Sequence, residues 1–182
     1  LHRGWRELSV PPEAISQLFA EKRLEVDIPD LLINEFVLLR KEKDANHTAL
    51  ARCRKEKRLT PIRPRRGPVF GIMPRNLQQT MALDLLLDDS VRLVSLIGNA
   101  GTGKTLLALA AGLTKVLNEQ VYQKLLAARP IMPLGRDIGY LPGGKDEKLT
   151  AWMQPIFDNV AYLLSNRLHT DNGVPAHQTT ST

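Results

Sequence analysis

The 182-residue chain has room for one domain or one and a half, and its 43% hydrophobic content allows a sizeable core, so global disorder is not the default expectation. Its single cysteine, Cys53, excludes an internal disulfide and any zinc site built on several cysteines, and fits a reducing, cytoplasmic setting. The formal charge of +6 is unevenly placed: residues 1–66 hold fifteen Lys/Arg against ten Asp/Glu (net +5), and residues 67–182 hold ten against nine (net +1).

The first stretch, Leu1 to Val10, carries Trp5, two arginines and a glutamate, a composition unlike a secretory leader. The chain opens at Leu1 in mid-pattern and is expected to be a piece of a longer protein. Ser9, Pro11, Pro12 and Glu13 resemble a helix start, and Ile15, Leu18 and Phe19 give that helix one apolar face. Leu31-Leu32-Ile33 and then Phe36-Val37-Leu38-Leu39 read as strand. Lys43 to Asn46 reads as a turn and Thr48 to Arg54 as a returning strand, so residues 1–60 are expected to form a small lead-in containing a β-hairpin.

Within residues 52–66 stand eight basic residues, Arg52, Arg54, Lys55, Lys57, Arg58, Arg63, Arg65 and Arg66, against Glu56 alone. Such a run can track a phosphate backbone or serve as a solvated basic linker, and the sequence leaves both open. Prolines at 61, 64 and 68 with Gly67 break regular structure, which places a linker at residues 61–70. A helix is expected from about Leu77 to Leu87. Asn76 and Gln79 have the N-cap and N3 spacing of a capping box, and the alternative for Gln79 is an amide presented to an adenine edge.

Gly98-Asn99-Ala100-Gly101-Thr102-Gly103-Lys104-Thr105 matches G-x-x-x-x-G-K-[ST], the phosphate-binding P-loop. Val91 to Ile97 before it reads as a buried parallel strand, and Leu106 to Leu117 after it as a helix; this apolar stretch is too short to span a bilayer. Gly98, Gly101 and Gly103 let backbone N–H groups turn inward where side chains would block a phosphate. The N-terminus of the following helix adds N–H groups and its positive dipole end. Lys104 is suited to the β- and γ-phosphates, and the Thr105 hydroxyl to Mg²⁺. Lys124 to Ala128 reads as the next parallel strand, in one sheet with 91–97 through a right-handed crossover. The Gly/Pro-rich loop from Pro130 to Gly144 leaves the carboxyl end of that strand, where open α/β sheets bind ligands. Arg129, Arg136, Lys145 and Lys148 are candidate phosphate contacts along it. Asp146 to Leu164 is expected as a last helix, kinked or restarted at Pro155, with Leu149, Trp152, Ile156, Val160 and Leu163 at helical spacing. Residues 165–182 read as a disordered tail.

Phe70-Gly71-Ile72 with Pro74-Arg75-Asn76 and Gln79, the P-loop, Arg129-Pro130, Pro133 to Gly139, Leu141-Pro142-Gly143, Glu147-Lys148, and Trp152 with Pro155-Ile156 together resemble the amino-terminal half of a PhoH-like ATPase domain. The resemblance covers about residues 69–164. Residues 1–66 more loosely resemble the segment that joins a PIN nuclease domain to the PhoH domain in fused proteins. The resemblance implies an α/β P-loop NTPase fold of RecA-like type, a parallel sheet flanked by helices, incomplete in residues 71–164 and preceded by the small hairpin-containing segment. It implies ATP and Mg²⁺ as ligands, RNA as a partner and a ring-shaped homo-oligomer. It also favours the adenine role for Gln79 and nucleic-acid contact by the Arg129–Lys148 loop.

The family's Walker B strand, ending in Asp-Glu, lies further downstream. Here the one hydrophobic run ending in an acid after the P-loop is Pro155 to Asp158, where proline and helical spacing argue against a strand. The chain is therefore expected to hold a phosphate cradle without the metal-holding Asp or the water-activating Glu. A small-molecule phosphotransferase and an RNA-binding module with a non-hydrolytic nucleotide site are the rival readings. A compact arginine lid would favour the first, and none is evident; residues 52–66 would serve the second.

Overall fold

A computed structural model describes residues 4–42, 44–55, 57–63, 65–129 and 145–171, and for residues 45, 145–151 and 169–171 the backbone alone. The chain divides into two compact units, Leu1–Arg66 and Gly67–Thr182.

Among the described residues all the strands lie in the first unit, in one five-stranded sheet of order β1-β3-β4-β5-β2. β1 (Trp5–Val10) runs parallel to β3 (Phe36–Lys41), with α1 (Pro12–Glu21) and the two-residue β2 (Leu24–Glu25) on the connection between them. β3 and β4 (Asp44–Lys55) form the expected antiparallel hairpin, closed with Lys41 opposite Asp44, and β5 (Arg58–Pro61) adds antiparallel to β4. Alternation then sets the core. Val37 and Leu39 from β3, Ala49, Ala51 and Cys53 from β4, and Leu59 from β5 meet Ile15 and Leu18 of α1. Small residues on β4 let the helix approach closely.

Three expectations for this unit change. Leu31–Ile33 is not strand: Asp30 and Asn34 adopt positive φ, and the chain turns there, leaving Leu32 and Ile33 largely exposed. The buried Glu35 carboxylate holds that turn, accepting from Leu32 N at 3.0 Å and, side-on, from Arg6 Nε at 2.6 Å and Nη2 at 3.0 Å. Pro61 belongs to β5 rather than to a linker. Pro61 pairs with Ala51 on one side only, beyond the end of β2, where its missing N–H costs no ladder bond. β1 was not expected, because the prolines after Val10 draw attention to the helix start instead of to the short Arg6, Leu8, Val10 alternation before it.

The second unit is helical in its described residues. α2 (Leu77–Leu86), α3 (Lys104–Leu113) and α4 (Lys145–Asp171) carry it, and a π-helical turn, Thr114–Asn118, extends α3. Phe70, Leu83, Leu107, Ala110 and Leu163 form the middle of its core, drawn from all three helices and the segment before α2. α4 runs through Pro155 and on to Asp171, seven residues past its expected end. That continuation has packing to hold it: the Arg167 guanidinium lies 4.9 Å from the Phe70 ring centroid, and Asn166 and Arg167 lie against Gly71.

The expected parallel strands at 91–97 and 124–128 are not strands here, and the described residues pair neither one into a ladder. A strand is a pairing state, and a parallel one needs a paired neighbour and cover on both faces. Exposure along Leu93 to Ile97 does alternate with a period of two; Val94 and Leu96 are half-buried, while Leu93 and Ile97 are 85% and 86% exposed. Leu125 instead packs its side chain over Gly112 of α3.

Candidate functional site

The loop from Gly98 to Thr105 turns on two glycines whose φ angles, +76° at Gly101 and +86° at Gly103, lie where a side chain is strained. Gly103 is the N-cap of α3, so Lys104 and Thr105 are its first two residues. The first intrahelical bond runs from Leu107 N to Gly103 O at 2.9 Å, which leaves the N–H groups of Lys104, Thr105 and Leu106 ahead of the helical ladder. Lys104 folds back across the loop. Its Nζ donates to Gly98 O at 2.9 Å and Asn99 O at 2.6 Å, and reaches Thr102 Oγ1 at 3.4 Å. Positive charge, helix N–H groups and the dipole end thus converge on one concave turn, the donor set an anion requires. Thr105 is exposed at its edge, with a hydroxyl available to a hydrated cation.

α2 is attached to this loop through its cap. Asn76 Oδ1 accepts from Gln79 N at 2.9 Å, as the capping spacing requires. The Gln79 side chain then bridges two further groups: Oε1 accepts from Arg75 N at 2.8 Å, and Nε2 donates to Thr102 O at 3.3 Å. The link to Thr102 was not legible in the sequence, since it joins residues 23 positions apart.

A cavity of about 600 Å³ opens beside the loop. Gly71, Met73, Arg75, Gln79 and Thr102 line it, and Asn159, Tyr162 and Asn166 of α4 supply another wall. Those three α4 residues were missed. Their signal was present as a polar stripe at helical spacing, next to the apolar stripe that marked the buried face.

The basic residues expected along the later loop fall in different places. Arg129 is committed to α4, its guanidinium 5.0 Å from the Trp152 ring centroid and its Nη1 donating to Trp152 O at 2.9 Å. Arg136 lies outside the described residues. Lys145 and Lys148 stand in the first turns of α4, and their side chains are not described. Asp137, an acid of the loop after Pro130, lies outside the described residues. Asp158 sits on the exposed side of α4, accepting from Gln154 Nε2 at 2.8 Å. Among the described residues no three His, Cys, Asp or Glu side chains cluster as a metal site.

The basic run of residues 52–66 is not one patch. Arg52 is wholly buried, Lys57 Nζ bonds Asp27 at 2.7 Å, and Arg58 lies 3.8 Å from Glu25. Arg54, Lys55, Arg63, Arg65 and Arg66 are exposed.

Comparison with known sequences matches the family described as PhoH-like protein to residues 71–173, more than half of the chain. The chain belongs to the PhoH-like protein family. Protein PhoH2 of Bacillus subtilis is 44% identical over 172 residues, which cover 91% of this chain and 38% of that protein. Protein PhoH2 of Mycolicibacterium smegmatis is 40% identical over 164 residues, covering 89% of this chain and 37% of that protein. This PhoH-like chain therefore spans little more than a third of these two relatives, and the similarity includes the first unit as well as the P-loop unit. No solved structure matches. The family is one of P-loop nucleotide-binding proteins, which agrees with the donor set around Lys104. In this PhoH-like chain no described helix is long and apolar enough to cross a membrane.

Proposed function

We propose that this chain is the nucleotide-binding part of a PhoH-type ATPase that acts on RNA. The observation that carries the reading is the convergence of the Lys104 ammonium and the leading N–H groups of α3 on the Gly98–Thr105 turn. Gly98, Asn99, Ala100, Gly101, Thr102 and Gly103 would cradle the β- and γ-phosphates of ATP, Lys104 would exchange its carbonyl partners for phosphate oxygens, and Gln79 would border the same site. The adjacent cavity of about 600 Å³ is within the range of small-molecule sites and would take the nucleoside. The Thr105 hydroxyl would hold Mg²⁺, which when bound neutralises charge on the β- and γ-oxygens. In the whole protein, Val91–Ile97 and Lys124–Ala128 would pair into a RecA-like parallel sheet. The period-two exposure of Leu93 to Ile97 supports that pairing.

RNA as a partner rests on the exposed Arg54, Lys55, Arg63, Arg65 and Arg66, with Arg136, Lys145 and Lys148 as further contacts. A ring-shaped homo-oligomer and a cytoplasmic place are what the family resemblance implies, and the single, buried Cys53 fits the second. A non-hydrolytic nucleotide site beside an RNA-binding segment is the second reading. It is favoured by Asp158, whose carboxylate faces Gln154 on the surface of α4. The deciding experiment is calorimetric titration of ATP with Mg²⁺, run beside a phosphate-release assay on the same sample. Saturable binding that Lys104→Ala removes supports the nucleotide site, and no binding to the wild-type chain overturns it.

A further inference from the structure

We infer that Gln79 is a positioning residue for the phosphate cradle, and that it acts on the Thr102–Gly103 peptide rather than on a base. This rests on the reading of Gly98–Thr105 as a phosphate site. Both ends of the Gln79 amide are engaged by partners of fixed character. Arg75 N can only donate, so it must face Oε1; Thr102 O can only accept, so it must face Nε2. The amide orientation is therefore determined by its neighbours. The backbone of Gln79 is pinned as well, its N–H held by Asn76 Oδ1 at 2.9 Å. The side chain has little freedom left with which to follow a base.

The bond to Thr102 O has a geometric consequence. In a trans peptide the C=O and the following N–H point in opposite directions. Holding the Thr102 carbonyl towards Gln79 turns the Gly103 N–H away from it, and so fixes one loop donor. Gly103 needs such restraint, because its φ of +86° and missing side chain leave that peptide free to rotate. Contact supports the bond: a Cβ on Gly103 would stand 3.4 Å from Gln79 Nε2, so the amide rests directly against this residue. Thr102 passes the restraint on. Its Oγ1 donates to Asn99 O at 2.9 Å, and the same carbonyl accepts from Lys104 Nζ at 2.6 Å. Gln79, Thr102, Asn99 and Lys104 form one continuous chain of hydrogen bonds, fixed at its α2 end by the bond from Arg75 N to Gln79 Oε1.

A positioning residue of this kind affects every ligand that carries the phosphates, whatever its base. The test uses the full 182-residue chain. Magnesium tripolyphosphate, ATP and GTP are titrated calorimetrically into the wild type, Gln79→Ala and Asn76→Ala, and each variant is also melted. Gln79→Ala is expected to weaken all three ligands by a common factor of about five, the scale of one hydrogen bond, with the ATP-to-GTP ratio unchanged. Asn76→Ala removes the cap acceptor but keeps the Gln79 amide. It is expected to lower the melting temperature comparably while holding tripolyphosphate affinity within about twofold. If Gln79→Ala does not fold, Gln79→Met keeps the length and the packing against Gly103 without the donor. Weakening confined to ATP overturns the assignment in favour of a base contact. Equal loss in Asn76→Ala overturns it in favour of helix stability, and unchanged affinities in Gln79→Ala overturn it outright. A wild-type chain that binds ATP but not tripolyphosphate also overturns it, whereas one that binds neither overturns the phosphate site itself.

Discussion

Lys104 and Lys115 are both lysines on the α3 helix and its extension, and their surroundings give them opposite duties. The Lys104 ammonium meets only loop oxygens, and its side chain is half-exposed. Lys104→Ala is therefore expected to reduce ATP affinity by more than tenfold while changing unfolding free energy by no more than about 0.5 kcal/mol. Calorimetry and urea unfolding of one preparation check both halves. Lys115 is buried, and its Nζ lies 2.9 Å from Asp89 and 2.8 Å from Glu119. Burial works to lower its pKa, but hydrogen bonds and charge from Glu119 and Asp89 outweigh it, and the net shift is upward. A pKa raised on folding means the folded state holds the proton more tightly than the unfolded one. The resulting stability is fully present below the ordinary lysine value and is lost as pH rises through the raised value. Lys115→Ala is expected to cost about 1–2 kcal/mol at neutral pH, since the two acids left behind are half-exposed and rehydrate. It should also flatten the loss of stability expected at alkaline pH in the wild type. Urea unfolding across that pH range reads the difference.

Local signals predicted the elements that local energetics build. Asn76 with Gln79 marked the start of α2, the Ile15 and Leu18 spacing marked α1, and Phe36–Leu39 with Thr48–Arg54 marked the hairpin. Each is settled by residues within one element or its neighbour. The glycine turn and the helix start at Lys104 were legible too, because the positive φ at Gly101 and Gly103 asks for glycine whatever the distant packing. Long-range pairing carried the rest. Val91–Ile97 has strand composition, but composition does not supply a partner edge. The turn at Leu31–Ile33 is decided by Arg6, a residue 29 positions from the Glu35 it grips. The extension of α4 to Asp171 is another such case, and Gly71 makes it testable. At φ +81° a Cβ there would stand 3.2 Å from Arg167 N and from Asn166 Cβ, atoms of the α4 helix itself. Gly71→Ala combines strain with a clash that helical backbone does not absorb cheaply. It is expected to cost about 1–3 kcal/mol and to raise hydrogen exchange selectively in the last turns of α4. Unchanged exchange at residues 163–168 would show that α4 is not held through Gly71.

At the scale of the whole chain, charge and catalysis separate. The first unit carries a net +5 and the second +1. If the exposed run at Arg63, Arg65 and Arg66 meets RNA phosphates, replacing all three with alanine should flatten the dependence of log K on log salt by about 2 for single strands. An unchanged slope in filter binding would remove this segment from the interface. Catalysis asks for more than the described residues hold. Phosphoryl transfer to water needs charge stabilisation at the γ-phosphate, a fixed metal and an oriented nucleophile. In the proposed reading the Gly98–Thr105 turn would supply the first, and Thr105 one ligand for the second. For the third, no acid stands near Lys104 among the residues lining the cavity. Asp158 is held by Gln154 on the exposed side of α4. The chain also covers only 38% of Protein PhoH2 of Bacillus subtilis, so most of the length of such a relative has no counterpart here. The expected outcome is ATP binding that Lys104→Ala removes, with phosphate release at the background rate of that variant. Turnover well above background that disappears in Lys104→Ala would mean that an acid supplies the metal site after all. Asp158→Asn and Asp137→Asn would then identify it, since a carboxylate-to-amide change at the true ligand removes charge from the metal while keeping side-chain shape. Loss in Asp158→Asn would further require α4 to turn that residue inward when nucleotide binds.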